Sequence, residues 1–147
     1  KSTKKIKLII KMKKNIKISK DAIYATGKRK ESIARVWILK GDGKITINGK
    51  KYNEYFKRPV HQLVIEKPFD ITKTKNNYDI FATVSGGGMS GQAGAITHGI
   101  SKALVGIDPA CRKSIKKNKL LTRDSRTVER KKYGQRKARR RFQFSKR

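Results

Sequence analysis

The glycine-rich stretch VSGGGMSGQAG, residues 84–94, has the residue spacing that most directly suggests chemistry. Gly86, Gly88 and Gly91 match the pattern G-x-G-x-x-G between a predicted strand and a predicted helix. Backbone N–H groups exposed at the N-terminus of a helix attract phosphate groups. We therefore predict that Gly86, Gly87, Gly88, Gly91 and Gln92 contact phosphate groups.

A bound nucleotide fits this loop poorly. Gln92-Ala93 stands where the phosphate loop of nucleotide hydrolases requires Lys followed by Ser or Thr. Only one strand–loop–helix unit is present, so there is no second parallel strand to carry a ribose-binding acid. We therefore expect the phosphates of a nucleic acid, with no cofactor and no small-molecule substrate. Gly94 and Gly99, inside the predicted helix, are expected to let that helix lie close to a sheet.

Catalysis has little support in the sequence. The ten acidic residues are scattered, and His61 and His98 are far apart in the chain. No metal-ligand spacing and no local nucleophile signature occurs. Cys111 is the only cysteine, which excludes an internal disulfide, and we expect it to be a small, half-buried residue. The sequence predicts a protein that is not an enzyme and holds no metal.

The charge is extreme and uneven. The 147 residues have a formal net charge of +30, of which residues 22–111 contribute +7 and residues 112–147 contribute +15. Such a chain needs a polyanionic partner, and nucleic acid is the leading candidate. A membrane is the rival, but the longest apolar run near the N-terminus, Leu8–Ile10, is far shorter than a membrane span. We predict a basic N-terminal extension at 1–21, a globular domain at 22–118 and an extended basic C-terminal tail at 119–147.

The globular part must position the loop, and its first half reads as strands and short helices. Ile33–Leu39 is a β-branched and aromatic run, and Gly41-Asp42-Gly43 followed by Ile45 and Ile47 suggests that it forms a hairpin with the next strand. Asn48-Gly49 predicts a second turn. Residues 52–56 predict a short helix. A further helix is expected over 59–67, with Val60, Leu63 and Val64 on its apolar face and Pro68 closing it.

The second half is more regular. Residues 78–84 alternate apolar and polar side chains, which predicts a strand. A long helix follows from Ser90, with an apolar stripe at helical spacing from Ala93 to Ile107. Asp108 is the expected N-cap of another short helix that begins with Pro109. The predicted fold class is α/β (α+β), a two-layer arrangement of a small sheet backed by helices.

The segment GGGMSGQAGAITHGISKAL, residues 86–104, resembles the signature of the small-subunit ribosomal protein nine family. ATGKRKESIARV (25–36) resembles the family's first strand, and the segment from Leu120 to the end resembles its tail. The resemblance runs from about residue 24 to Arg147. It implies a fold like the second domain of ribosomal protein five, with a left-handed β-α-β crossover.

The same resemblance implies a function. The family's globular part lies on ribosomal RNA in the head of the small subunit, beside neighbouring head proteins, and its tail reaches the anticodon stem-loop of transfer RNA in the peptidyl site. Carried over to this sequence, Lys146 and Arg147 are the expected transfer-RNA contacts. The expected ribosomal-RNA contacts include the loop residues above and two basic groups: Gly27, Lys28, Arg29 and Lys30, and Arg130, Lys131, Lys132, Arg136, Lys137, Arg139, Arg140 and Arg141.

Two questions stay open at this point. A free basic protein that helps RNA fold would share much of this composition, and it should release RNA steeply as salt rises. The compartment is also open. HGISKAL, DPACRK and the FQFSKR ending resemble the alphaproteobacterial and mitochondrial branch of the family, and together with the Lys- and Ile-rich composition this resemblance favours a mitochondrial ribosome, with a bacterial cytoplasm or a plastid as alternatives. Glu31 and Glu129, each surrounded by bases, are expected to orient neighbouring Arg or Lys side chains.

Overall fold

The structure is a computed structural model, and it describes residues 22–145. In that range the strands are β1 Ile23–Arg29, β2 Ser32–Lys40, β3 Ile45–Ile47, β4 Lys50–Lys51 and β5 Tyr78–Ser85. The helices are α1 Tyr52–Tyr55, α2 Pro59–Thr72, α3 Met89–Ile107 and α4 Arg112–Lys117, with a 3-10 turn at Pro109–Cys111. The predicted extension at 1–21 and the tip, Lys146 and Arg147, lie outside the described residues.

The strands form one mixed sheet in the order β1-β2-β5-β3-β4, in which only β3 and β5 run parallel. The predicted hairpin between β2 and β3 is therefore wrong, because β5 lies between them. The loop after β2 is held to β5 instead. Asp79 Oδ1 accepts the backbone N–H groups of Asp42 and Lys44 at 3.0 and 2.8 Å, and Ile80 N–H donates to Lys44 O at 2.8 Å.

Two tight hairpins do form. Asn48 and Gly49 join β3 to β4 with φ values of 50° and 80°, as the Asn-Gly pair predicts. The other hairpin joins β1 to β2 through Lys30 and Glu31, with Lys30 at a φ of 51°. The segment 25–36, which resembles a single first strand, is thus two strands and a turn. That turn brings the basic residues 28–30 to one end of the sheet.

Helix α2 differs from its prediction in both its end and its buried face. Pro68 does not close the helix, which continues to Thr72. Pro68 has no N–H to donate to Val64 O, and Thr97 Oγ1 donates to that carbonyl instead, at 3.0 Å. Val60 and Leu63 are both 66% exposed, so the predicted apolar face is wrong for these two residues, whereas Val64 is half-buried. The buried residues of α2 are Ile65, Pro68 and Phe69.

Helices α2 and α3 cover one face of the sheet, as the two-layer prediction requires. The buried residues of β5 are Ile80, Ala82 and Val84, which confirms its predicted alternation. Close approach of α3 to β1 depends on glycine, since a Cβ on Gly27 would lie 1.9 Å from Ala95 O. The parallel neighbours β3 and β5 are joined through α1 and α2. The left-handed sense of that crossover stays a prediction.

Candidate nucleic-acid interface

The β1–β2 turn and the glycine-rich loop lie together at one end of the sheet. Ser32, directly after the turn, donates its hydroxyl to Gly86 O at 3.0 Å. Gln92 Nε2 donates to the same carbonyl oxygen at 3.1 Å. Lys28 and Lys30 are exposed beside this contact. Two groups of predicted RNA contacts, nearly sixty residues apart in the sequence, are therefore neighbours in the fold.

The glycines of the loop are needed for the fold itself, in addition to any contact with a ligand. Gly86 and Gly87 have φ values of 74° and 58°, the left-handed region that favours glycine. A Cβ on Gly87 would lie 2.2 Å from Ser32 Oγ, and one on Gly91 would lie 2.7 Å from it. Gly88, which caps α3, has open space around it. Met89 and Ser90, the first two residues of α3, are also exposed, whereas Gly91 is buried. A helix that begins at an exposed residue suits a phosphate at its N-terminus.

Ser32 was not singled out from the sequence. It is fully buried, and its hydroxyl is the contact that joins the turn to the loop. Its sequence signal is a serine among the inward-facing positions of β2, which are otherwise apolar.

His98 connects β1 to the start of the tail. Lys28 N–H donates to His98 Nδ1 at 3.4 Å, and His98 Nε2 lies 3.2 Å from Leu121 O. Since Nδ1 accepts, Nε2 must carry the proton and donate to Leu121, so the imidazole is neutral. Burial lowers the pKa of His98, and the nearby cations Lys102 and Arg123 lower it further. The histidine thus positions the tail and is poorly suited to act as a cationic RNA contact.

Asp124 makes a second connection between the tail and the domain. Its Oδ2 accepts from an Arg29 guanidinium N–H at 3.2 Å, and Arg126 donates to both carboxylate oxygens at 3.0 Å. The Arg126 hydrogen bonds hold the pKa of Asp124 well below its usual range. We call Arg29, His98, Leu121 and Asp124 the tail anchor. Its sequence signal was the lone acid in TRDSR, residues 122–126.

Beyond the anchor the tail contacts itself. Arg139 Nε donates to Glu129 at 2.8 Å, and Arg136 N–H donates to Arg140 O at 2.9 Å. The Arg136 guanidinium lies over the Phe142 ring, 5.5 Å from its centre. The predicted pairing of Glu129 with a neighbouring base is confirmed. Glu31, by contrast, forms no ion pair with any residue in 22–145.

The predicted RNA contacts of this region are all exposed: Arg130, Lys131, Lys132, Arg136, Lys137, Arg139, Arg140 and Arg141. No described residue from 119 to 145 is in a helix or a strand. The long run of cations is thus presented to solvent by a backbone without regular structure. Gly27 and Gly91 differ from the other predicted contacts, since both are buried, Gly27 under α3 and Gly91 against Ser32. All of these RNA contacts remain predictions.

Comparison with known families identifies the chain. Residues 27–147 match the family described as ribosomal protein S9/S16. The chain belongs to this family. The resemblance found in the sequence is therefore confirmed over residues 27–147. A member of the S9/S16 family is a structural protein of the small ribosomal subunit and binds ribosomal RNA, with other ribosomal proteins as neighbours.

The remaining sequence features of this S9/S16 protein concern Cys111, Asp108, metal ligands and membrane helices. Within residues 22–145 there is no group of three His, Cys, Asp or Glu side chains close enough to hold a metal ion. Cys111 is half-buried, as predicted, and its thiol donates to Asp108 Oδ2 at 3.0 Å, which raises the pKa of Cys111. Asp108 Oδ1 also accepts Ala110 N–H at 2.9 Å, which confirms it as an N-cap. No described helix has both the length and the apolar character that crossing a bilayer requires.

Proposed function

We propose that the chain binds ribosomal RNA in the head of the small subunit and extends its tail to the anticodon stem-loop of transfer RNA in the peptidyl site. The observation that carries this proposal is the tail anchor. It holds the tail to the end of the sheet that carries the predicted ribosomal-RNA contacts Lys28, Arg29 and Lys30. The β1–β2 turn and the tail, which are both predicted to bind RNA, therefore lie at the same end of the sheet.

The tail beyond the anchor has the charge and the reach for this role. All charged residues from 130 to 147 are basic. Eighteen extended residues span roughly 60 Å at about 3.3 Å each. Such a segment can pass through RNA and deliver Lys146 and Arg147 to a phosphate cluster, while the domain stays bound elsewhere.

The choice of base also supports ordered contacts in the tail. Nine of the twelve arginines lie in residues 112–147, although the chain has 28 lysines. Arg binds phosphate through two parallel hydrogen bonds and stacks on bases, whereas Lys acts as a point charge. A chain otherwise rich in Lys thus retains Arg where planar recognition of phosphate or base is useful.

Removal of the tip tests the proposal. A chain ending at Ser145 should enter small subunits normally and lower their affinity for peptidyl-site transfer RNA several-fold, because the charge nearest the anticodon stem-loop is lost. The variant Lys146→Arg keeps the charge and the guanidinium of Arg147, and should lie close to wild type. Failure of the shortened chain to assemble would instead make the tip a structural element.

Two further measurements address the open alternatives. Sedimentation in salt above about 0.2 M should leave the chain on the small subunit, whereas a free RNA-folding protein would dissociate as its phosphate contacts are screened. We also propose a mitochondrial ribosome as the site of action, because of the resemblance of HGISKAL, DPACRK and FQFSKR to the alphaproteobacterial and mitochondrial branch and the Lys- and Ile-rich composition. A fluorescent fusion of the whole natural protein that failed to enter mitochondria would contradict this.

A further inference from the structure

The face of the sheet turned away from α2 and α3 carries a row of aromatic side chains. Strand alternation directs Ala25, Val36 and Ala82 into the core, so the intervening residues point the other way. Tyr24 lies directly opposite Trp37, and Trp37 lies directly opposite Phe81. The three rings therefore form one line across β1, β2 and β5. We call this surface the open face.

The aromatic row is exposed and partly held in place. Tyr24 is 51% exposed, and Trp37 and Phe81 are partly exposed. The Tyr24 and Trp37 rings lie 5.3 Å apart between centres at 42°. Thr26 Oγ1 donates to the Tyr24 hydroxyl at 3.0 Å, which orients the phenol from the next position on the same strand face. Rings held in this way lose little side-chain freedom when a ligand stacks on them.

The charge on the open face is positive. Arg35 and Lys28 are exposed, and Lys51 continues the aromatic row, since it lies opposite Thr46, which is itself opposite Phe81. The acid of this face, Asp79, already accepts two backbone N–H groups through Oδ1. Arg35 forms no salt bridge within residues 22–145. An apolar protein partner would bury these cations without counter-charges, which is costly, whereas RNA supplies both phosphates and bases.

We propose that the open face is a second RNA-binding surface, which stacks unpaired bases of ribosomal RNA on Tyr24, Trp37 and Phe81. Arg35, Lys28 and Lys51 neutralise the adjoining phosphates. Aromatic residues on an exposed sheet are a recurring way of binding single-stranded RNA, because every base has a face that can stack. The proposal rests on the ribosomal-RNA binding of the family, and of the RNA contacts predicted from the sequence it uses only Lys28.

The single tryptophan makes the surface directly testable, because Trp37 is the only one in the chain. The full chain is titrated with a ten-nucleotide oligoadenylate at about 0.3 M salt, where phosphate contacts of the tail are weakened. We expect saturable quenching of Trp37 fluorescence. Tyr24→Ala should weaken the oligonucleotide about tenfold, and Arg35→Gln a few-fold.

Two variants serve as controls. Tyr133→Ala removes a tyrosine that is 96% exposed in the tail and should leave the Trp37 titration unchanged. Tyr24→Leu keeps an apolar contact with Trp37 but has no ring. It is used in place of Tyr24→Ala if Tyr24→Ala melts at a lower temperature than the wild type. Both Tyr24 variants should bind the oligonucleotide equally weakly.

Three results would overturn the proposal. One is binding of a labelled oligonucleotide, seen by anisotropy, without quenching of Trp37. Another is equal affinity of wild type and both Tyr24 variants. The last is a combination of two results: the oligonucleotide does not quench Trp37 in the free chain, but Trp37 is protected from acrylamide in assembled subunits. A neighbouring protein would then cover the face. The open-face variants keep Lys146 and Arg147, so this test and the test of the tail tip fail independently.

Discussion

The globular domain and the tail hold their residues in place by different means. In the domain, close backbone packing fixes the geometry, and Gly27 lies so near α3 that no side chain fits between them. In the tail, a few hydrogen bonds and ion pairs fix one point, the anchor, and leave the following cations exposed. Stability and RNA binding should therefore respond to substitutions in different regions. Substitutions in the domain should change the unfolding free energy, and substitutions in the tail should change the affinity for RNA.

The largest expected effect is on stability, from Gly27→Ala. The added methyl group would meet Ala95 O at 1.9 Å and Gly99 N at 2.4 Å, both backbone atoms that cannot move alone. We expect destabilisation at or above the upper end of the about 1–3 kcal/mol typical of overpacking. Urea unfolding followed by Trp37 fluorescence measures it.

Matched alanine substitutions complete this test. Gly106→Ala places a methyl group 3.6 Å from Ile23 Cγ2, an ordinary contact, and should stabilise α3 by about 0.5–1 kcal/mol. Gly134→Ala, in the tail, should leave the unfolding transition of the domain unchanged despite the φ of 65° at that residue. Equal effects at Gly27 and Gly134 would remove the distinction between the two regions.

The next effect is on RNA affinity. Changing Arg136, Arg139, Arg140 and Arg141 to Gln removes four exposed cations from the tail. If each contacts a phosphate, the slope of log affinity against log salt should fall by about three. The measurement is a salt series of binding to a fragment of small-subunit ribosomal RNA. Stability should not change, because these side chains are outside the core.

The control removes the same number of charges from the domain. Arg112, Lys113, Lys116 and Lys117 of α4 are exposed and are not among the predicted RNA contacts. Their change to Gln should lower the salt slope less than the tail variant does. A larger effect from α4 would mean that the domain, and not the tail, supplies most of the phosphate contacts.

Many elements of the domain can be predicted from the sequence because they depend on residues that are close together in the chain. The alternation of β5, the apolar stripe of α3, the Asn48-Gly49 turn and the Asp108 cap are all local patterns. The strand order was not predictable in this way. The insertion of β5 between β2 and β3 depends on contacts such as Asp79 with Lys44, which are distant in sequence.

The candidate site also has parts that local sequence predicts and parts that depend on distant contacts. The basic and glycine-rich segments could be found from their composition alone, but their adjacency depends on the buried Ser32–Gly86 contact. Pro68 was expected to end α2, because the Thr97 hydroxyl that satisfies Val64 O is 33 residues away in the chain. The aromatic row of the open face combines strands from both halves of the domain, so no single segment of sequence predicts it.

A smaller effect should follow from loosening the anchor. Asp124→Asn weakens the hydrogen bonds to Arg29 and Arg126 and should free the start of the tail without unfolding the domain. Trypsin should then cleave after Arg123 and Arg126 several-fold faster. Glu129→Gln is the matched control: it releases Arg139 and should expose only sites beyond residue 129. Unchanged cleavage in Asp124→Asn would show that His98 alone holds the tail.

The smallest effect should be a dependence of the anchor on pH through His98. Its pKa in the fold lies below the ordinary value of 6.5, chiefly because the ring is half-buried. Its contribution to stability is therefore complete above pH 6.5 and is lost as the pH falls through the lowered pKa. Protonation of Nδ1 would place its N–H against the N–H of Lys28 while leaving the donation to Leu121 possible.

His98→Gln provides the comparison, since its amide can accept from Lys28 and donate to Leu121 but does not titrate. Melting temperatures measured between pH 7.5 and pH 5 should therefore fall more steeply for the wild type than for this variant. Asp124, whose pKa is lowered by Arg126, keeps its charge across that range and should contribute equally to both curves. Parallel curves would mean that protonated His98 is accommodated, and the anchor would then depend on the Asp124 ion pairs.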